Sequence, residues 1–79
     1  MSEIKISRTI DARGSFCPGP LMELIRAVKE AQVSEVIEVL SSDQGSKHDI
    51  PLWVSKAGHT LLSINDKEGY TSFIVKKAR

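Results

Sequence analysis

The hydrophobic period of this chain changes from two to about 3.6 across a single short junction, Cys17-Pro18-Gly19-Pro20. Before it, Ile4, Ile6 and Ile10 alternate with Lys5, Ser7 and Thr9, as in a strand with one buried face. Arg8 interrupts the apolar side, which suits a sheet edge. After it, Leu21, Leu24, Ile25 and Val28 recur at i, i+3, i+4 and i+7, the inward stripe of a helix running from about Pro18 to Ala31. Met22 lies beside this stripe and is read as core filling. A proline without an N–H fits the first turn of a helix, where that N–H would have no partner. Cys17 is therefore expected at the N-cap and Pro18 as the first helical residue.

Downstream, Val36-Ile37-Glu38-Val39-Leu40 is apolar on both faces and reads as a central strand. A strand–helix–strand unit of this length predicts a parallel, right-handed crossover. Ser41 to Gly45 is turn-rich. Ser46 and Asp49 are alternative caps for a second helix ending near Ala57, with Pro51 in its first turn and Ile50, Trp53, Val54 and Ala57 facing inward. Trp53 is read as a core residue, and Gly58 as the left-handed stop. Leu61–Ile64 and Tyr70–Val75 complete a βαβαββ order, with Asn65 to Gly69 as the hairpin turn. The expected fold is an α/β (α+β) two-layer sandwich: a mixed four-stranded sheet with two helices on one face.

A chain of 79 residues with 41% apolar content is expected to form one domain over residues 1–79 with a thin core. Domains of this size bury only about 60% of their unfolded surface. One cysteine cannot make an internal disulfide, Ser2-Glu3-Ile4-Lys5 offers no apolar leader, and no apolar run is long enough to span a bilayer. A cytoplasmic protein without membrane association is the expectation. Eleven basic and 10 acidic residues, mixed along the chain, supply no global field for nucleic acid. The closing Lys76-Lys77-Ala78-Arg79 is read as a solvated tail. Cys17, His48, Asp49 and His59 are metal-ligand types without ligand spacing, so no metal site is expected.

The chemistry centres on Cys17. A sulfur at a helix entrance faces the unpaired amides of the first turn, here Gly19 and Leu21, and the positive end of the helix dipole. Cysteines so placed titrate at roughly 3.5–7.5, against about 8.5 when free. Gly19 leaves room beside the sulfur, and Gly14 allows the loop to bend. The plain alternative is a small buried hydrophobe. Arg13 could add positive charge near the sulfur or pair with Asp11. Asp11 could instead hold the loop by accepting nearby amides, the preferred reading. Asp43, past the second strand, either orients a partner or a backbone amide or is an ordinary turn residue.

Asp11, Arg13, Gly14, Cys17, Pro18 and Pro20 together resemble the signature of the TusA (SirA-like) sulfur-carrier family. The resemblance continues through Ser42-Asp43, Asp49-Ile50-Pro51 and Gly58-His59, covering nearly the whole chain. It implies the two-layer fold, no bound cofactor, and a monomer whose Cys17 accepts sulfane sulfur as a persulfide or thiosulfonate and passes it to an acceptor protein. The donors it implies are cysteine desulfurases, rhodaneses or DsrE-type sulfurtransferases, serving tRNA thiolation, cofactor synthesis or sulfur oxidation. Phe16 and Gly19 depart from the polar or charged residues frequent at those positions. Two other readings compete: a noncatalytic RNA-binding module, since the fold resembles a translation-initiation-factor domain, and a thiol redox sensor acting through Cys17. Sparse aromatic residues and balanced charge weigh against the RNA module.

Overall fold

A computed structural model describes residues 5–14 and 19–79. Its elements run β1 (Arg8–Asp11), α1 (Gly19–Glu30), β2 (Val36–Ser41), α2 (Ser46–Ala57), β3 (Thr60–Lys67) and β4 (Tyr70–Lys76). The strands form one sheet in the order β1-β2-β4-β3. β1 is parallel to β2, and both other pairings are antiparallel. The mixed four-stranded sheet with two helices is the architecture that the alternation of periods predicts.

Side chains two apart on a strand share a face, and this places the core. Ile37 and Val39 of β2 and Phe73 and Val75 of β4 are all essentially inaccessible to solvent. They pack with Leu24, Ala27 and Val28 of α1 and Ile50 and Val54 of α2. Both helices therefore cover the same face. The buried side of α1 is Pro20, Leu24, Ala27 and Val28, whereas Leu21 and Ile25 of the expected stripe are only half-buried. The helix is turned slightly from the expected direction, because Pro20 itself enters the core. Met22, read as core filling, is 57% exposed and belongs to the outer face of α1. Trp53 is half-buried and packs against the core.

The first strand is shorter than its alternation suggested. β1 starts at Arg8, Ile6 is exposed, and Ile4 lies outside the described residues. As an edge strand β1 needs only one neighbour, and only Ile10 of its side chains packs against the core. Arg8 at that edge bonds Glu30 of α1 at 2.9 Å.

The start of α2 also differs. Neither Ser46 nor Asp49 caps it: the cap position is Gly45, which makes no side-chain bond. The backbone meets the need instead. The N–H groups of Ser46, Lys47 and His48 donate to the carbonyls of Asp43, Gln44 and Gly45, three residues back, at 3.1–3.2 Å. These tight turns satisfy the orphan donors of the helix start. Pro51 then falls inside the helix rather than in its first turn. Its ring removes one ladder bond, a cost offset by the burial of Ile50 and Val54 on either side. The helix stops as expected at Gly58, whose φ of 82° is the left-handed conformation that glycine adopts without strain.

The hairpin is tighter than expected. β3 continues through Asn65, Asp66 and Lys67, leaving Glu68-Gly69 as a two-residue turn. Polar residues pair in register here, Asp66 with Thr71 and Asn65 with Ser72; Asp66, on the edge strand β3, is exposed, whereas Thr71 and Ser72 are buried. Thr71 Oγ1 donates to Asp66 at 3.0 Å. No helix among the described residues is long and apolar enough to cross a membrane.

Phe73 and Ile64 are paired in register, yet Phe73 is fully buried and Ile64 is 45% exposed. Urea denaturation of Phe73→Ala should show a loss of about 3–5 kcal/mol, and Ile64→Ala a loss below about 1 kcal/mol. Equal losses would contradict the placement of the core.

Candidate functional site

The topology gathers several chain segments at one end of the sheet. β1 and β2 are parallel, so their carboxyl ends and the loops into α1 and α2 lie together. β4 runs the other way, so its first residue and the β3–β4 turn arrive at the same end. Loops at the carboxyl ends of parallel strands are where α/β sheets commonly build their sites.

The loop after β1 begins with a fixed ion pair. Arg13 Nε and Nη2 donate to the two carboxylate oxygens of Asp11 at 2.8 and 2.7 Å, and the backbone N–H of Arg13 donates to the same carboxylate at 3.1 Å. The two sequence readings of Asp11, ion pairing and amide binding, are thus both present in one residue. The Arg13 side-chain bonds, followed by its backbone N–H, bring the Asp11 pKa from 3.8 to about 2. The same carboxylate raises the pKa of Arg13. Charge on Arg13 is therefore partly neutralised by its neighbour.

Two contacts tie this loop to distant parts of the chain. The Arg13 guanidinium lies over the ring of Tyr70, 5.0 Å from its centroid, within cation–π range. The N–H of Gly14 donates to Ser42 Oγ at 2.9 Å. Gly14 has a φ of 88°, a left-handed conformation that a residue without a Cβ adopts without strain. Between Ser42 and Tyr70 lies an open cleft of about 240 Å³, bordered also by Asp43, Lys47, Asp66 and Thr71. An ion pair between Lys47 and Asp66, 3.0 Å, joins α2 to β3 at this end.

The remaining sequence-predicted residues divide clearly. Ser15, Phe16, Cys17 and Pro18 lie outside the described residues, and with them the N-cap and first-residue assignments. Gly19, Pro20 and Leu21 open α1; Pro20 is buried and the other two are half-buried. The amides of Gly19 and Leu21 belong to a first turn, whose donors find no acceptor within their own helix. Asp43 is half-buried in the β2–α2 loop, where its N–H donates to Ser41 Oγ and its carbonyl accepts from Ser46. Ser41 and Ser46 bond each other at 2.9 Å in the interior beneath it. Asp49 is close to His48 at 3.2 Å, and Pro51 sits farther along α2, so both shape the helix rather than border the cleft. His59 is at the other end of α2, against Trp53. Burial, then Lys77 and Arg79, lowers its pKa. Among the described residues, no three His, Cys, Asp or Glu side chains converge as a metal cluster would.

Tyr70 makes a contact with Arg13 that the sequence reading missed, and Ser42 entered that reading only as part of a motif. Both come from segments far along the chain from Arg13 and Gly14. A period-two reading of β4 does put Tyr70 on the face opposite Phe73. Only the placement of β4 beside β2, however, brings that ring within reach of Arg13.

These features define a two-layer α+β protein with its signature loop anchored at the carboxyl end of a parallel strand pair. The family model described as Sulfurtransferase TusA matches residues 8–77. A putative sulfur carrier protein of Archaeoglobus fulgidus is 56% identical over 70 residues, covering 89% of this chain and 96% of that protein. The sulfur carrier protein TusA of Pseudomonas entomophila is 35% identical over 79 residues, covering 99% of each. The crystal structure of a SirA-like protein from Desulfitobacterium hafniense superposes with a TM-score of 0.79 at 22% identity, covering 91% of this chain and 99% of that one. The chain belongs to the TusA sulfurtransferase family, whose general role is sulfur transfer.

Because the Asp11 carboxyl titrates lower folded than unfolded, its pair with Arg13 supports the fold above about pH 4. That support is lost as pH falls from 3.8 toward 2. Acid titrations of stability should therefore show a weaker pH dependence in this window for Asp11→Asn than for the wild type; superimposable curves would contradict the pairing. Ser42→Ala removes the acceptor for the Gly14 N–H. Hydrogen–deuterium exchange at Gly14 should accelerate, with global stability changed by about 1 kcal/mol or less, since the site is exposed.

Proposed function

We propose that Cys17 is the sulfur-carrying residue of this protein. Its thiolate attacks the outer sulfur of a donor's persulfide, the donor's thiolate leaves, and the outer sulfur remains as Cys17–S–S⁻. An acceptor thiolate then attacks that outer sulfur and expels the Cys17 thiolate. Each step exchanges one S–S bond for another, so no external oxidant or reductant is consumed. With tetrathionate as donor, the same attack yields a Cys17 thiosulfonate adduct and releases thiosulfate. The observation that carries this reading is that a sulfurtransferase family model covers nearly the whole chain, and the chain contains one cysteine.

The amides of Gly19 and Leu21 stabilise the sulfur anion in this reading, as a helix entrance does for anions generally. Arg13 adds positive charge. Asp11, Gly14, Pro18 and Pro20 shape the loop, while Asp43, Asp49 and Pro51 shape the neighbouring α2 region. No metal or cofactor takes part. The donor is a cysteine desulfurase, a rhodanese or a DsrE-type sulfurtransferase, and the acceptor is a protein thiol in sulfur oxidation, tRNA thiolation or cofactor synthesis. The protein works as a single-domain monomer in the cytoplasm, without direct contact to nucleic acid or membrane.

Intact-mass measurement tests this directly. After incubation with a persulfide-loaded rhodanese or desulfurase, the wild type should gain the mass of one sulfur. With tetrathionate it should gain a thiosulfonate. Cys17→Ser should gain neither, and the loaded wild type should pass its sulfur to a second protein. Oxidation to sulfenate without sulfur uptake would replace the carrier with a redox sensor. Salt-sensitive RNA binding retained in Cys17→Ser, in a protein that takes up no sulfur, would replace it with an RNA-binding module.

A further inference from the structure

His59 lies between the stop of α2 and the start of β3, at the end of the sheet opposite Tyr70. There Thr60 pairs with Lys76, the last residue of β4. The residues after β4, read from the sequence as a solvated tail, are tied down at this end. Lys77 is held from the α1 side. Its N–H donates to the Glu35 carbonyl at 2.9 Å, and its carbonyl accepts from the Ser34 N–H at 2.7 Å. Its Nζ donates to the Ala31 carbonyl, just past α1, at 2.6 Å, where a cation suits the negative end of a helix. Beyond Lys77 the chain meets the corner after α2. The Ala78 N–H donates to His59 Nδ1 at 3.1 Å. The Arg79 side chain lies so close over Gly58 that a Cβ there would be 2.8 Å from Nη1. The imidazole itself is half-buried against the Trp53 ring, with centroids 5.6 Å apart.

A ring nitrogen accepts a hydrogen bond only when it carries no proton. The Ala78 bond therefore requires a neutral imidazole with its proton on Nε2. A second proton makes Nδ1 a donor facing a donor. It also sets a positive ring among positive neighbours. Lys77 and Arg79 both act against the charged ring. Lys56 in the last turn of α2 and Lys76 at the end of β4 are further cations on the adjoining elements. Histidine is the side chain whose ordinary titration falls between about pH 5 and 8.

We propose that His59 is a pH-sensitive latch for the segment after β4: neutral, it holds Ala78 and Arg79 against the end of α2, and protonated, it releases them. Lys77 stays in its own backbone bonds in both states. Burial, then Lys77 and Arg79, keeps the docked ring below the ordinary value of 6.5. Release of the segment removes part of that environment, so the pKa moves back up. Docking is therefore complete above pH 6.5 and is lost as pH falls below it. One linked proton weakens the docking equilibrium by at most about tenfold per pH unit. The latch does not depend on the chemistry proposed for Cys17.

NMR titration of the wild type from about pH 8 to about pH 5 tests this. The Ala78 amide should titrate with the same midpoint as the His59 imidazole, below 6.5. Its heteronuclear NOE should fall to that of a mobile segment, while the Lys77 amide and the buried Phe73 ring keep their resonances. In His59→Gln, which takes up no proton in this range, Ala78 should show no such titration, whereas His48→Gln should behave as the wild type. Arg79→Gln, with one cation fewer, should raise the His59 midpoint. An Ala78 amide that stays ordered once His59 is protonated, follows a different midpoint, or still titrates in His59→Gln overturns the latch. So does a His59 midpoint that Arg79→Gln leaves in place. The wild-type titration decides the matter even where a variant does not fold.

Discussion

The pairing of β2 with β4 is the contact on which the rest of this structure depends. It sets Ile37 against Val75 and Val39 against Phe73 in one register, and those four side chains form the floor on which both helices rest. In a chain this short, no second core can compensate. The same pairing brings the first residue of β4 to the carboxyl end of β2. Burial and site geometry are thus consequences of one register. A slip of one residue would turn Phe73 and Val75 to the open face and carry Tyr70 away from Arg13.

The signature loop is held by a different kind of force. Its described residues, up to Gly14, are anchored by polar contacts near the surface: Asp11 to Arg13, Arg13 to Tyr70, and Gly14 to Ser42. Each such contact is modest in water, since solvent competes for every donor and acceptor involved. They tie Arg13 and Gly14 to β1, to the loop after β2 and to β4.

Family membership gives these contacts a chemical context. Sulfur exchange between thiols needs little acid–base assistance once the attacking sulfur is ionised, so in the function proposed for Cys17 the protein would contribute presentation and electrostatics. Among the described residues, the electrostatic feature of the loop is the exposed Asp11–Arg13 pair. The cleft between Ser42 and Tyr70 has walls that also tether the loop, so loop geometry and the neighbouring surface are mechanically linked.

Much of this was legible in the residues themselves. The switch of period at Pro18–Leu21, the doubly apolar run at Val36–Leu40 and the glycine at position 58 determined the order βαβαββ, because local periodicity and turn chemistry act over a few residues. The Cys-Pro-x-Pro junction made Cys17 the candidate from the sequence; that residue lies outside the described residues. Other features were decided only by tertiary structure. Pro51 lies within α2 because backbone carbonyls at Asp43, Gln44 and Gly45 start that helix early, and the burial of Ile50 and Val54 offsets the lost bond. Met22 faces water because Pro20 occupies the inward position. Tyr70 meets Arg13 because β4 inserts between β2 and β3. Strand order and helix rotation arise from burial summed over the whole chain, which no single stretch of residues encodes.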